Sequence, residues 1–171
     1  MPPRALLITL RADPGGGPEH VFQLVRSLRD EFRIFVACPD DKPYRDRYAA
    51  LLGESSLCRL PHRRATARAM GNLCRYIRNH DIQIVHSHGK GAGAYSRPSA
   101  FLTRRRCVHT FHGIHTQAYG PLAMRSYLVY ERLLARLTHA CIAVSHSERD
   151  RIEALRLAPR PCTVISPAPL G

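Results

Sequence analysis

Ala5-Leu6-Leu7-Ile8-Thr9-Leu10-Arg11-Ala12-Asp13-Pro14-Gly15-Gly16-Gly17-Pro18-Glu19-His20 opens with an apolar run of strand length and breaks into three consecutive glycines. A run that is apolar on both faces predicts a strand covered on both sides. Directly after the glycines, Val21, Leu24, Val25 and Leu28 recur at helical spacing, with Pro18 suited to a first turn. The stretch therefore predicts a buried strand, a tight loop and a helix.

The same alternation continues to the end of the chain. Residues 32–38 read as a second strand, 44–52 as a helix, 57–60 as a short strand and 62–79 as a basic helix. Residues 81–88 form another apolar run, followed by a glycine-rich turn and a helix, and 107–112 the next strand. A long helix at 121–139 offers Leu122, Leu128, Leu133, Leu134 and Leu137 for burial; a strand at 140–145, a helix through Leu157 and a strand at 162–166 complete the series. Unbroken apolar strands alternating with helices specify the α/β class: a doubly wound, mostly parallel sheet with helices on both faces, in the Rossmann-like manner. With 171 residues the chain suits a single domain, expected over 1–166 with a tail at 167–171.

Composition bounds the partners. Lysine and arginine total 26 against 13 acids, a formal net charge of +13 that is almost all arginine. Phosphates, anionic lipids and nucleic acid all suit such a surface, although an arginine-rich proteome gives the same count. Nucleic acid is disfavoured, because neither an aromatic stacking platform nor a helix-turn-helix pattern accompanies the charge. Arg63, Arg64, Arg68, Arg75 and Arg78 surround Met70, Leu73 and Ile77, which suits peripheral contact with an anionic membrane and, more commonly, a helix packed on the sheet with solvated arginines. The six cysteines form no C-x-x-C pair and read as reduced and buried. No apolar run approaches the roughly 20 residues of a membrane span, and the expected compartment is the cytoplasm, with the inner membrane face as a peripheral site.

In a doubly wound sheet, ligands bind beyond the carboxyl ends of the strands. The loop Gly15-Gly16-Gly17 admits close approach of a ligand and offers a helix N-terminus to a phosphate or carboxylate, or else merely closes a turn. The dinucleotide fingerprint is incomplete, since His20 holds its third glycine position, and no Walker sequence is present. Five histidines, His86, His88, His109, His112 and His115, gather at two strand ends. A metal is disfavoured there because His109 and His112 should diverge and no cysteine or carboxylate supports them. His112 or His88 better suits proton transfer or hydrogen bonding to a hydroxyl-rich substrate. Ser145 reads as a helix cap three residues before Glu148, and the absence of G-x-S-x-G argues against a hydrolase.

Taken in order, PGGGPEHVFQLVRSL at 14–28, DIQIVHSHG at 81–89, VHTFHG at 108–113 and ACIAVSHSERDRI at 140–152 resemble the N-terminal, acceptor-side domain of family 4 glycosyltransferases. The resemblance implies a GT-B architecture, in which two Rossmann-like domains face across a cleft and the second holds a nucleotide-sugar donor. It places Gly16 and Gly17 toward that cleft, His112 at the reaction centre as the catalytic residue, and His88 on the acceptor side. Joined to the strand-end reading, the expected substrate-binding set is Gly15, Gly16, Gly17, His20, His88, Gly89, Gly113 and Ser145. The implied activity is hexosyl transfer to a lipid-linked or polysaccharide acceptor of cell-envelope synthesis, with no metal or cofactor in this domain. Because the chain reads Ser166-Pro167-Ala168-Pro169-Leu170-Gly171 where a donor domain is expected to begin, it is expected to be inactive alone and to need a separate C-terminal donor-binding domain. A stand-alone module that binds a sugar or phosphate ligand without chemistry is the alternative.

Overall fold

The computed structural model describes residues 2–114, 120–158 and 162–165. The elements run β1 (Arg4–Ile8), α1 (Gly16–Leu28), β2 (Arg33–Cys38), α2 (Tyr44–Leu52), a 3-10 turn (Glu54–Ser56), β3 (Leu57–Arg59), α3 (Ala67–Asn79), β4 (Ile84–His88), α4 (Gly89–Thr103), β5 (Arg106–Thr110), α5 (Pro121–Ala135), β6 (Ala140–Ala143), α6 (His146–Ala154) and β7 (Thr163–Val164). They build one seven-stranded sheet in the order β3-β2-β1-β4-β5-β6-β7, with every pairing parallel. This is the single-domain, Rossmann-like arrangement expected from the alternation of apolar strands and helices.

Both faces of the sheet are buried, and consecutive residues of β1 serve opposite cores because side chains alternate along a strand. Leu6 and Ile8 join Phe35, Leu73, Ile77, Val85 and Tyr95 beneath α3 and α4. Ala5 and Leu7 join Val21, Val25, Val36 and Tyr48 beneath α1 and α2. A third cluster, with Phe111, Ala143, Ile152 and Leu157, lies under α6.

Three sequence expectations need correction. Helix α3 starts at Ala67 rather than 62, because the Thr66 hydroxyl accepts from the Ala69 N–H at 3.2 Å and Arg63 adopts φ 48° before it. Its arginines Arg68, Arg75 and Arg78 are exposed while Leu73 and Ile77 pack inward. Among the cysteines, Cys38, Cys58, Cys74 and Cys107 are free and buried, but Cys141 and Cys162 are joined as a disulfide. The register that pairs Ile142 with Thr163 sets these two cysteines opposite one another, with Cα atoms 4.6 Å apart. The tail expected at 167–171 lies outside the described residues. Among the described residues no helix is long and apolar enough to cross a membrane.

The largest departure is in α5. Leu122 and Leu133 are exposed, and the helix instead buries Glu131, Leu134 and Ala135. Glu131 is drawn inward by Arg97 of α4, whose guanidinium donates to it at 2.6 Å in a site where both side chains are fully covered. A hydrophobic count along α5 has no way to register an ion pair with another helix.

Removing one partner of such a pair strands a buried charge. Glu131→Ala should therefore lower the unfolding free energy by about 3–5 kcal/mol. The double variant Arg97→Met/Glu131→Leu should lose much less, and urea unfolding of both variants measures the difference.

Candidate functional site

The register decides what reaches the carboxyl edge of the sheet. Ile8 pairs with Ser87, and His88 pairs with Thr110, so His88 arrives at the edge between the chain leaving β1 and the chain leaving β5. Beyond β1, the Thr9 hydroxyl donates to the Arg11 carbonyl at 3.0 Å, and the Arg11 guanidinium forks onto Asp13 at 2.9 and 2.8 Å. That hydrogen-bonded pairing pushes the Asp13 carboxyl down to about 2. The glycines follow at once and Gly16 begins α1. Beyond β4, Gly89 takes φ 79°, a conformation that favours glycine and lets α4 start directly after His88. Beyond β5, Gly113 takes φ 87° directly after His112.

These loops enclose an open cleft of about 360 Å³ whose lining includes Arg11, Gly17, Arg63, His88, Gly89 and His112. A side chain on Gly17 would meet nothing of the chain itself, so the space above the start of α1 is free for a ligand. Lys90 also lines the cleft, with its ammonium 4.0 Å from the centroid of the Tyr127 ring.

Three imidazoles from three different elements meet beside the cleft, which His88 and His112 line and the expected site residues His20 and Gly113 do not. The His20 ring, on α1, lies 5.5 Å from the His88 ring and 5.0 Å from the His112 ring, centroid to centroid. His112 Nε2 and His88 Nδ1 are 3.5 Å apart. His86 stands on the same face as His88, with ring centroids 4.2 Å apart, and its Nε2 lies 2.8 Å from the Thr110 hydroxyl. His109 points to the opposite face, where its Nδ1 lies 2.8 Å from the Ser87 hydroxyl. His115 lies outside the described residues.

Burial holds these rings neutral. The His112 imidazole is pushed down to about 4 and that of His86 to about 3, chiefly by desolvation, with His20 adding repulsion in both cases. His88 and His109 are driven well below the usual imidazole range chiefly by burial, and desolvation lowers the half-buried His20 as well. At neutral pH each ring therefore presents one donor and one acceptor nitrogen, and His112 is a weak base.

The remaining expected site residues sit differently. Gly15 and Gly16 precede the cleft-lining Gly17 without lining the cleft themselves. Ser145 caps α6, accepting from the Glu148 N–H at 3.1 Å, and does not line the cleft. Sequence reasoning missed the reach of Glu148. In a capping box this residue turns back to the cap N–H; here its carboxylate accepts from Val144 N–H at 3.1 Å and from Gly113 N–H at 2.5 Å. Buried Glu148 thereby ties the loop carrying His112 to the end of β6. The acid three residues after Ser145 was visible in the sequence, but its partner 35 residues upstream was not.

Residues 14–168 match the family model described as Glycosyltransferase Family 4. No curated protein matches in sequence. Among solved structures, HepE from Anabaena, in complex with UDP and glucose, superposes with a TM-score of 0.76 at 14% identity, over 95% of this chain and 44% of that one. MurG from Acinetobacter baumannii gives 0.63 at 9% identity, over 96% and 45%. A sucrose-phosphate synthase structure from Thermosynechococcus elongatus gives 0.62 at 12% identity, over 98% and 90%. The chain thus spans under half the length of the HepE and MurG chains.

Neutral buried histidines make stability depend on pH in a defined sense. In the unfolded chain the rings bind protons near 6.5, while in the folded chain His112 resists until about 4 and His86 until about 3. The unfolded state thus binds more protons as pH falls below 6.5, so stability is complete above that value and declines below it. Urea midpoints measured with chelator present should fall from pH 6.5 to 5, above the usual carboxylate range, and His86→Gln should flatten the decline.

Proposed function

The chain belongs to glycosyltransferase family 4, and from that premise we propose that its cleft holds the acceptor during sugar transfer from a nucleotide-sugar donor. The observation that carries the reading is the convergence of His20, His88 and His112 beside Gly17 and Gly89, at the carboxyl ends of β1, β4 and β5. A hydroxyl-rich ligand needs donors and acceptors that stay fixed without carrying charge, and neutral imidazoles supply both. His112, on a loop anchored through Gly113 to Glu148, is the residue assigned to the reaction centre. His88 and His20 orient the acceptor, and the glycines let it approach the backbone.

Arg63 and Lys90, which line the same cleft, favour an acceptor that carries phosphate, as a lipid-linked acceptor does. Ser145 contributes through the helix it caps rather than by touching the ligand. The donor side of the reaction belongs to a second domain of the GT-B architecture. Transfer depends on holding two substrates together, so the domain by itself binds acceptor without turnover.

Ligand-observed NMR and calorimetry with short oligosaccharides, their phosphorylated forms and UDP-glucose test this assignment. Phosphorylated saccharides should bind better than neutral ones, and His112→Ala should weaken them at least about tenfold, the loss of one to two hydrogen bonds in a covered site. UDP-glucose should bind weakly and without regard to His112. Tight binding of the nucleotide sugar by this domain alone would sink the acceptor-side reading.

A further inference from the structure

The histidine cluster carries a second capacity. One nitrogen from each of His20, His88 and His112 lies within 4.8 Å of the others. Zinc–imidazole bonds of about 2.0–2.1 Å in a tetrahedron place ligand nitrogens roughly 3.4 Å apart. The His88 and His112 nitrogens already stand at 3.5 Å. His20 completes the triangle with a shift of up to about 1.4 Å, within reach of a side-chain rotation. It lies near the start of α1 and is only half-buried, so it has room to turn.

The surroundings suit a cation of one type. The cluster is all imidazole, which selects zinc, copper or nickel over magnesium or calcium. His88 is buried at the edge of the cleft, and the nitrogen it turns toward His112 is Nδ1. The three rings come from a helix, a strand end and a glycine-anchored loop, so the triangle is held by elements that are fixed independently.

We propose that His20, His88 and His112 bind one divalent transition metal of the zinc type, with a fourth coordination position opening into the cleft. Three protein ligands and an open position describe a site that exchanges its fourth ligand. A bound ion occupies the place assigned to the acceptor, so metal and acceptor compete. That regulatory consequence rests on the acceptor reading above, whereas metal binding itself does not.

The test is titration of the chelator-stripped chain with Co²⁺, followed by the visible absorption of tetrahedral cobalt, and with Zn²⁺ by calorimetry. One ion per chain is expected, with no response to Mg²⁺. His20→Ala and His112→Ala should each weaken binding at least about tenfold, with circular dichroism confirming the fold, while the exposed His146→Ala should leave it unchanged. His20→Ala is the safer variant because that side chain is half-exposed. Absence of saturable binding, or binding that survives both His20→Ala and His112→Ala, overturns the proposal. Saccharide binding without metal binding removes the metal site alone; metal binding without saccharide binding leaves the metal site standing and removes the acceptor reading.

Discussion

The adjacency of β1 and β4 is the constraint on which the rest of the site depends. β1 is flanked by β2 on one side and β4 on the other, so the chain winds outward from β1 in one direction and then in the other. The helices that follow β1 and β4 must cover opposite faces of the sheet, and the loops leading into them part at the carboxyl edge. That parting is the cleft. The register then places His88 within it. A slip by one residue would send Ser87 to the cleft face and His88 to the face that now holds His109.

Beneath the cleft lies a layer of buried polar groups that an apolar core does not need. Ser87 links His109 to the Ser96 hydroxyl, at 2.8 and 2.5 Å. One residue further along α4, Arg97 pairs with Glu131. A side chain on Gly93 would come within 3.0 Å of the His109 ring, so α4 approaches β5 as closely as its backbone permits only because that position is glycine. Each of these contacts fixes the rotation and height of α4, and α4 begins with Gly89 and Lys90 at the cleft. The polar layer thereby sets the position of the site's rim, at a desolvation cost that well-packed leucines would not incur.

The sheet was legible in the sequence because burial on both faces leaves a mark on every residue of a strand, as in Ala5-Leu6-Leu7-Ile8, and because glycines punctuate the strand ends. Element boundaries shifted where a local hydrogen bond decided them, as Thr66 did for α3. The positions of several candidate residues were legible too: His88 and Gly89 at the end of β4, His112 just beyond β5 and Gly17 after β1 fall where the strand reading put them. What stayed hidden depended on partners distant in sequence. Glu148 reads as a capping acid until its carboxylate meets Gly113, and His20, named among the expected binding residues from its place after the glycines, shows its proximity to His88 and His112 only once α1 turns its ring toward them. Leu122 and Leu133 failed in the opposite sense, because helical periodicity registers an apolar stripe but not the buried glutamate that rotates α5 away from it.

The electrostatics of the cleft argue for positioning over proton transfer. A general base works best when its pKa lies near the operating pH, and burial has moved His112 to about 4. Restoring its basicity would take a neighbouring carboxylate, yet Glu148, the acid closest to this loop, accepts from two backbone N–H groups and spends its charge on holding Gly113 and Val144 in place. The side chain that would make His112 basic instead makes it stationary. A neutral ring on an anchored loop loses little entropy when it meets a hydroxyl group and has no charge to desolvate, which suits the proposed role of holding an acceptor in place. The same neutrality leaves imidazole nitrogens unprotonated and open to a metal, so the features that favour acceptor positioning are also those that make the cleft receptive to zinc.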